Sequence, residues 1–114
     1  MTAVRIRVVL PRDAPGQLAK LVSVEIWDAS LADAPSVLLA KQILHDVVLT
    51  SNGSMEAILE VPQASAHQVL IGRAHISIDG SGEVKSGDFL TTSYVEVPRN
   101  LGSNKLTVPV SQIT

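Results

Sequence analysis

The sequence predicts an all-β protein, a single antiparallel β-sandwich of about seven or eight strands that occupies residues 1–114 as one domain. Apolar and polar residues alternate with a period of two over several short stretches, which is typical of half-buried strands. Turn residues separate these stretches at intervals of about 8–12 residues, as in sandwich proteins. The apolar content of 46% is almost entirely aliphatic, with one Trp, one Tyr and one Phe, and β-branched residues favour strands. Greek-key, immunoglobulin-like and transthyretin-like arrangements all fit this pattern.

The first two strands are predicted on either side of a proline-rich break. Val4–Leu10 alternates apolar side chains with arginines, so the first strand is expected there. Two prolines and a glycine in Pro11–Gly16 end it. A second alternation over Val22–Ile26 predicts the next strand, which leads into the segment Asp28–Pro35.

The segment Asp28–Pro35 is predicted to form a rigid corner between two strands. Asp28, Ser30 and Asp33 have short side chains that accept hydrogen bonds from backbone N–H groups one or two residues further on. Pro35 fixes its own φ and holds the preceding residue extended, which releases the chain into the next strand. These four residues therefore indicate a structural turn motif rather than an active loop.

The middle of the chain predicts two more strands joined by a tight turn. Ser36–Leu44 could be helical, but its content suits a strand, and a strand is predicted. Ser51–Ser54 contains Asn-Gly, a pair that tolerates positive φ and favours a turn. Val47–Leu49 precedes this turn, and Met55–Val61 follows it with Ala, Leu and Val on one face.

The rest of the chain is predicted to contain a polar link, an acidic loop and three strands. Gln63–Gln68 is a polar link that could form one helical turn, and Val69–Ile78 is predicted as a long strand. Asp79–Asp88 is rich in glycine and acidic residues and is expected to be a solvated loop. The last strands are predicted at Phe89–Val97 and at Lys105–Val110.

Charge and composition argue against several classes of protein. A net charge of −2 with mixed signs gives no attraction to nucleic acid or to an anionic membrane. The absence of cysteine excludes disulfides, thiol catalysis and sulfur-ligated zinc. No stretch approaches the ~20 apolar residues of a spanning helix, and arginines interrupt Met1–Leu10 where a signal peptide would be apolar. We expect a cytoplasmic protein from the chain as it stands, or a periplasmic or outer-membrane-associated one if an export signal was removed.

Residue patterns of catalysis and metal binding are also missing. No two of His45, His67 and His75 have the spacing of metal ligands on one strand or helix, so no metal and no cofactor are predicted. The acidic loop lacks the glycine and glutamate positions of a calcium loop, and no Gly-x-Ser-x-Gly motif occurs. We therefore expect a protein that is not an enzyme. The alternative is a small-ligand-binding or hydrolase-like domain in which His67 or His75 works with nearby acids.

Trp27 is the candidate partner-binding residue. If the alternation of Val22, Val24 and Ile26 places those side chains in the core, Trp27 points outward. An outward tryptophan in a chain with so few aromatic residues is a candidate interface anchor. The alternative is that the strand twists near its end and Trp27 covers the rim of the core.

Three stretches carry a family resemblance. The corner and its flanks, Val24–Ala40, resemble the YbaY/YscW-like family of type III secretion lipoprotein chaperones, or pilotins. Arg73–Ile76 followed by Asp79–Gly80 is similar to the central strand and turn of that family, and Phe89–Val97 is similar to a later strand. The resemblance extends over roughly residues 20–97 and is most specific at the corner.

The resemblance implies a small β-sandwich that acts by binding, since characterised pilotins escort an outer-membrane secretin subunit and many relatives are uncharacterised lipoproteins. We therefore expect a chaperone-like domain that binds a protein segment, from a secretin-like or another envelope protein. A sandwich can bind such a segment at an exposed edge strand or in an apolar groove. Pro109 blunts the final strand, so the other edges are the expected contact sites, and they could also support a homodimer. A purely structural, self-associating module is the remaining alternative.

Overall fold

Two β-sheets enclose the core of the molecule. The computed structural model describes residues 2–30, 35–62, 68–91, 95–97 and 105–114. Eight strands lie within this part of the chain, which confirms the predicted all-β sandwich. They are β1 (Thr2–Val9), β2 (Gln17–Asp28), β3 (Val37–Leu49), β4 (Ser54–Val61), β5 (Leu70–Ser77), β6 (Phe89–Leu90), β7 (Lys105–Pro109) and β8 (Ser111–Gln112).

The smaller sheet has three strands in the order β4-β1-β7. Strands β1 and β4 are antiparallel, with Thr2 opposite Val61, and their alternating residues bury one face as the sequence predicted. Strand β7 runs parallel to β1, with Ile6 opposite Leu106. The predicted antiparallel sandwich thus contains one parallel pair among its described strands. A parallel neighbour needs a long crossover connection, and β7 is separated from β1 by most of the chain.

The larger sheet has five strands in the order β3-β2-β5-β6-β8. Strand β2 lies between β3 and β5 and is antiparallel to both. The predicted strand over Ser36–Leu44 is confirmed, and it extends to Leu49 as the edge strand β3. The register between β2 and β3 shifts at Ile26 and Trp27, so the strand pair is irregular where it enters the corner.

Predicted turns and links are found where the described residues reach them. Asn52 adopts a φ of 56°, and the N–H of Gly53 donates to the carbonyl of Thr50 (2.9 Å), which closes the predicted turn between β3 and β4. The predicted link Gln63–Gln68 lies outside the described residues except for Gln68. No helix in the part of the chain that the structure describes is long and apolar enough to cross a bilayer.

The predicted strand at 89–97 is shorter than expected. Strand β6 covers Phe89–Leu90, while Glu96 forms a single bridge with Ile71 of β5. The N–H of Val97 donates to the carbonyl of Leu70 (2.7 Å), which continues the contact with β5 beyond that bridge. The register with β5 differs between the two parts, and residues 92–94 of the predicted strand lie outside the described residues.

The core is aliphatic, as the composition indicated. Its largest fully buried side chain is Phe89, packed among branched residues of both sheets. The two sheets pack tightly at Gly72 of β5, where an added Cβ would lie 2.5 Å from Leu106 Cδ2 of β7. Glycine is therefore needed at this position because a side chain would collide with the opposite sheet. The chain then passes from the smaller to the larger sheet through the buried Val110.

Candidate binding surface on the larger sheet

Strand β3 is a long, exposed edge. It pairs with β2 on one side, and no other strand of the described residues pairs with its opposite side. Seven large apolar side chains in the described part of the chain are exposed, and four of them belong to β3: Val37, Leu38, Ile43 and Val48. An exposed apolar edge offers unpaired backbone groups and apolar area to an incoming strand. This edge is therefore the strongest candidate for contact with another chain.

The other three edges are less open. Strand β7 contains Pro109, which lacks the N–H that a ladder needs, and β8 has two residues. Strand β4 alternates its buried residues with charged Glu56 and Glu60, and the backbone N–H of Ile58 donates to Gln42 Oε1 (3.2 Å). These are the features by which proteins protect sheet edges from pairing.

A groove lies on the outer face of the larger sheet, next to β3. Its volume is about 270 Å³, and we call it the outer groove. Ser23 of β2 is a small residue between larger neighbours on the flanking strands, and the loop after β5 closes the far side. The apolar side chains that line the groove include Leu21, Ile43 and Val84. Its charged lining includes Glu25, Lys41 and Arg73.

Trp27 lies beside the outer groove. Its side chain is half-buried, and its Nε1–H donates to Glu25 Oε1 (3.2 Å). The guanidinium carbon of Arg73 lies 6.0 Å from the centre of the Trp27 ring, at the outer limit of a cation–π contact. Glu25 also lies 3.7 Å from Lys41 Nζ. Trp27 thus belongs to a small polar network with two residues of the groove, and its role toward a partner stays a prediction.

The predicted turn residues Asp28 and Ser30 form part of the described corner. Asp28 Oδ1 accepts hydrogen bonds from the backbone N–H of Ser30 (2.9 Å) and from the Ser30 hydroxyl. The hydrogen bond from the Ser30 hydroxyl is the main cause that lowers the pKa of Asp28. Pro35 is exposed, and Asp33 lies outside the described residues.

The corner also makes long-range contacts that the sequence did not predict. Ser30 Oγ accepts a hydrogen bond from the backbone N–H of Val69 (2.8 Å), and Asp28 Oδ2 accepts one from Gln68 Nε2 (3.1 Å). The corner is therefore hydrogen-bonded to the two residues that immediately precede β5. The sequence of the corner did not indicate these two hydrogen bonds, because the residues that donate them lie about forty positions further along the chain.

Asp88 is the residue that sequence reasoning missed. It is buried, and Oδ1 accepts the backbone N–H of Ile78 (3.0 Å) while Oδ2 accepts that of Lys85 (3.1 Å). His75 Nε2 lies 3.0 Å from Oδ2 as well. Asp88 therefore ties both ends of the loop 78–88 to β5, and this loop supplies Val84 to the outer groove. In the sequence, Asp88 looked like one more residue of an acidic loop.

The exposed part of the same loop is held by a second carboxylate. Asp79 accepts hydrogen bonds from Lys85 Nζ (2.7 Å) and from the backbone N–H of Ser81 (2.9 Å). The hydrogen bond from Lys85 is the largest cause that holds the pKa of Asp79 well below its usual range, and it raises the pKa of Lys85. The described residues hold no group of three or more potential metal ligands. The hydrogen bond from the Ser81 N–H shows Asp79 stabilising the backbone of its own loop.

The hydrolase-like alternative finds a partial arrangement here. Ser23 lies opposite His75 in the register of β2 and β5, and His75 contacts Asp88. No hydrogen bond joins Ser23 to His75 in the described structure, and both oxygens of Asp88 hold loop N–H groups. His45 lies on β3, away from this pair in register, and His67 lies outside the described residues. The geometry is that of a loop anchor.

Comparison with known proteins gives one informative likeness. No family model matches the chain, and no curated protein matches it in sequence. An alternative pilotin from the type II secretion system of Vibrio cholerae has a similar solved structure, with a TM-score of 0.64 and 18% sequence identity. The alignment covers 97% of this chain and 99% of that chain. The chain therefore has a pilotin-like fold, while the narrower resemblance to the YbaY/YscW-like family stays a prediction.

Proposed function

We propose that this chain is a non-catalytic, pilotin-like chaperone domain that binds an extended segment of a secretin-like or another envelope protein along β3. The observation that carries the proposal is the concentration of exposed apolar side chains on this unpaired edge strand. A secretin-like partner would be met in the bacterial envelope. The proposed function therefore requires the periplasmic or outer-membrane-associated location instead of the cytoplasmic one.

Strand addition accounts for the features of β3 better than binding in a closed cavity does. The strand has 13 residues, which is long for an edge, and its free side can form a ladder of main-chain hydrogen bonds with an added strand. Leu38 and Ile43 would lose their exposed area to the partner. Full burial of such a side chain contributes roughly 1.5–3 kcal/mol, so partial burial of several adds usefully to the main-chain contacts.

The fold and the chemistry of the outer face support the same function. The similar structure is that of a pilotin, and the likeness extends over nearly the whole of both chains. His75 and its acidic neighbour Asp88 hold a loop, and no hydrogen bond among the described residues joins His75 to Ser23, the side chain that would have to act as the nucleophile. Both observations favour a role in binding over a role in catalysis.

Substituting Ile43→Lys is expected to weaken partner binding at least tenfold. A lysine in the centre of the edge removes apolar area and places a charge where the added strand would pack, which is how natural edges resist pairing. The measurement is a calorimetric titration with purified, overlapping segments of a secretin. Ile58→Lys is the matched control, because Ile58 is an exposed isoleucine on the β4 edge. Like Ile43, it lies near basic side chains, in this case Arg5 and Lys105.

Equal affinities for the Ile43→Lys and Ile58→Lys proteins would refute binding along β3, provided that both variants keep the circular dichroism spectrum of the parent. Light scattering on the unliganded protein separates a further outcome. Self-association that Ile43→Lys abolishes, together with no affinity for any secretin segment, would identify the occupant of β3 as a second copy of this chain and overturn the proposed chaperone role.

A further inference from the structure

Arg73 gives the outer groove a positive charge that has no carboxylate partner among the described residues. Glu25 is the acidic residue of the groove lining, and it is engaged by Lys41 at 3.7 Å and by Trp27 Nε1 at 3.2 Å. Arg73 lies directly opposite Glu25 in the register of β2 and β5, yet none of the ion pairs among the described residues includes it. The groove is therefore electrostatically complementary to an anion.

Arg73 is positioned to bind an anion that enters the outer groove. Its guanidinium lies over the face of Trp27, and its side chain is exposed at the groove. This contact is at the outer limit of cation–π distance, and no hydrogen bond or ion pair among the described residues uses the N–H donors of Arg73, which leaves them open to a carboxylate. A carboxylate can accept two of these donors at once, which makes the contact directional as well as strong.

The other part of the groove is apolar. Leu21, Ile43 and Val84 line it together with Leu90, and Val84 is more than half exposed although it borders a concave surface. The volume of about 270 Å³ is below the usual range of roughly 300–1,000 Å³ for drug-sized ligands. It suits one or two side chains of a polypeptide better than a cofactor.

The groove and the β3 edge share residues. Lys41 and Ile43 belong to β3 and also line the groove, so the two surfaces are continuous. Neighbouring strands lie about 4.8 Å apart, which places Arg73 of β5 two strands from β3. A segment that pairs with β3 and then crosses over Ile43 can therefore reach Arg73 with a following residue.

We propose that the outer groove binds an acidic residue of the partner segment, an Asp or Glu whose carboxylate contacts Arg73 and whose apolar neighbour packs on Ile43 and Val84. This inference rests on the proposed function, because the segment reaches the groove from β3. It adds a chemical requirement to the partner: an extended apolar stretch followed by an acidic residue.

The test uses a displayed library of random dodecapeptides with both ends fused, so that side chains supply all carboxylates. Peptides selected on the parent protein are expected to combine strand-forming apolar residues with an Asp or Glu, and selection on Arg73→Gln is expected to lose the acidic preference. A selected peptide is then synthesised in Glu and Gln forms. Arg73→Gln should weaken the Glu form about tenfold or more and leave the Gln form within about twofold, since hydrogen bonds to charged groups are the stronger ones.

The outcomes separate this inference from the proposed function. Arg7→Gln, which removes an exposed arginine from the smaller sheet, serves as the matched control and should bind both peptides like the parent protein. Strand-like peptides without an acidic preference, bound equally by Arg73→Gln, would overturn the inference and leave the proposed function standing. Failure of the parent protein to select any strand-like peptide would overturn both.

Discussion

Replacing Phe89 by alanine is expected to lower the free energy of unfolding by about 3–5 kcal/mol. Phe89 is fully buried and is the largest such side chain in the described core. It lies in β6, opposite Ile76 of β5 and Gln112 of β8, so it joins three strands of the larger sheet. Truncation removes the buried apolar area and leaves a cavity that branched neighbours fixed in two sheets fill poorly. Urea unfolding followed by circular dichroism measures the loss.

Leu90→Ala is the matched control for this prediction. Leu90 is the next residue of the same short strand, but it is half-buried and lines the outer groove instead of the core. Its truncation should cost clearly less than that of Phe89. If the two substitutions destabilise the protein equally, or if Phe89→Ala costs under about 1 kcal/mol, the described packing between the sheets is wrong.

Replacing Asp88 by alanine is expected to cost about 2–4 kcal/mol, because three groups lose their acceptor together. The backbone N–H groups of Ile78 and Lys85 and the ring nitrogen His75 Nε2 all lie within 3.1 Å of its carboxylate oxygens. A donor left without a partner in a buried site costs roughly 1–3 kcal/mol, and part of this is recovered where water reaches the loop. Urea unfolding again gives the magnitude.

Asp79→Ala is the matched control, because it removes an exposed carboxylate from the same loop. Asp79 makes hydrogen bonds of similar length, but it is exposed, and its contacts with Lys85 and Ser81 are replaced readily by water. We expect a much smaller loss of stability than for Asp88→Ala. A loss for Asp79→Ala that matches or exceeds the loss for Asp88→Ala would contradict the assignment of Asp88 as the anchor of the loop 78–88.

Local patterns were sufficient to predict most of the sandwich. The alternation in β1 and β4 reports which side of a strand is buried, and Asn52 with Gly53 reports a turn from two adjacent residues. The corner at Asp28 and Ser30 was likewise readable, since each side chain bonds to a near neighbour in sequence.

Contacts between distant parts of the chain were not predictable in this way. The parallel pairing of β7 with β1 depends on the position that a strand late in the chain takes in the smaller sheet, and no local pattern encodes that position. Asp88 carries its role because folding brings Ile78 and His75 next to it. The binding surface was predictable in part: Trp27 was singled out, whereas the exposed edge of β3 and the position of Arg73 depend on the order of strands in the larger sheet.

Amide hydrogen exchange of the protein with and without a bound secretin segment tests the central claim most directly, because it reports backbone pairing on each edge separately. Strand addition predicts that amides within Val37–Leu49 exchange more slowly in the complex, while the amides of the neighbouring edge of the smaller sheet, Ser54–Val61, keep their rates. Binding that leaves the exchange of β3 unchanged, or that slows exchange along β4 alone, would contradict it.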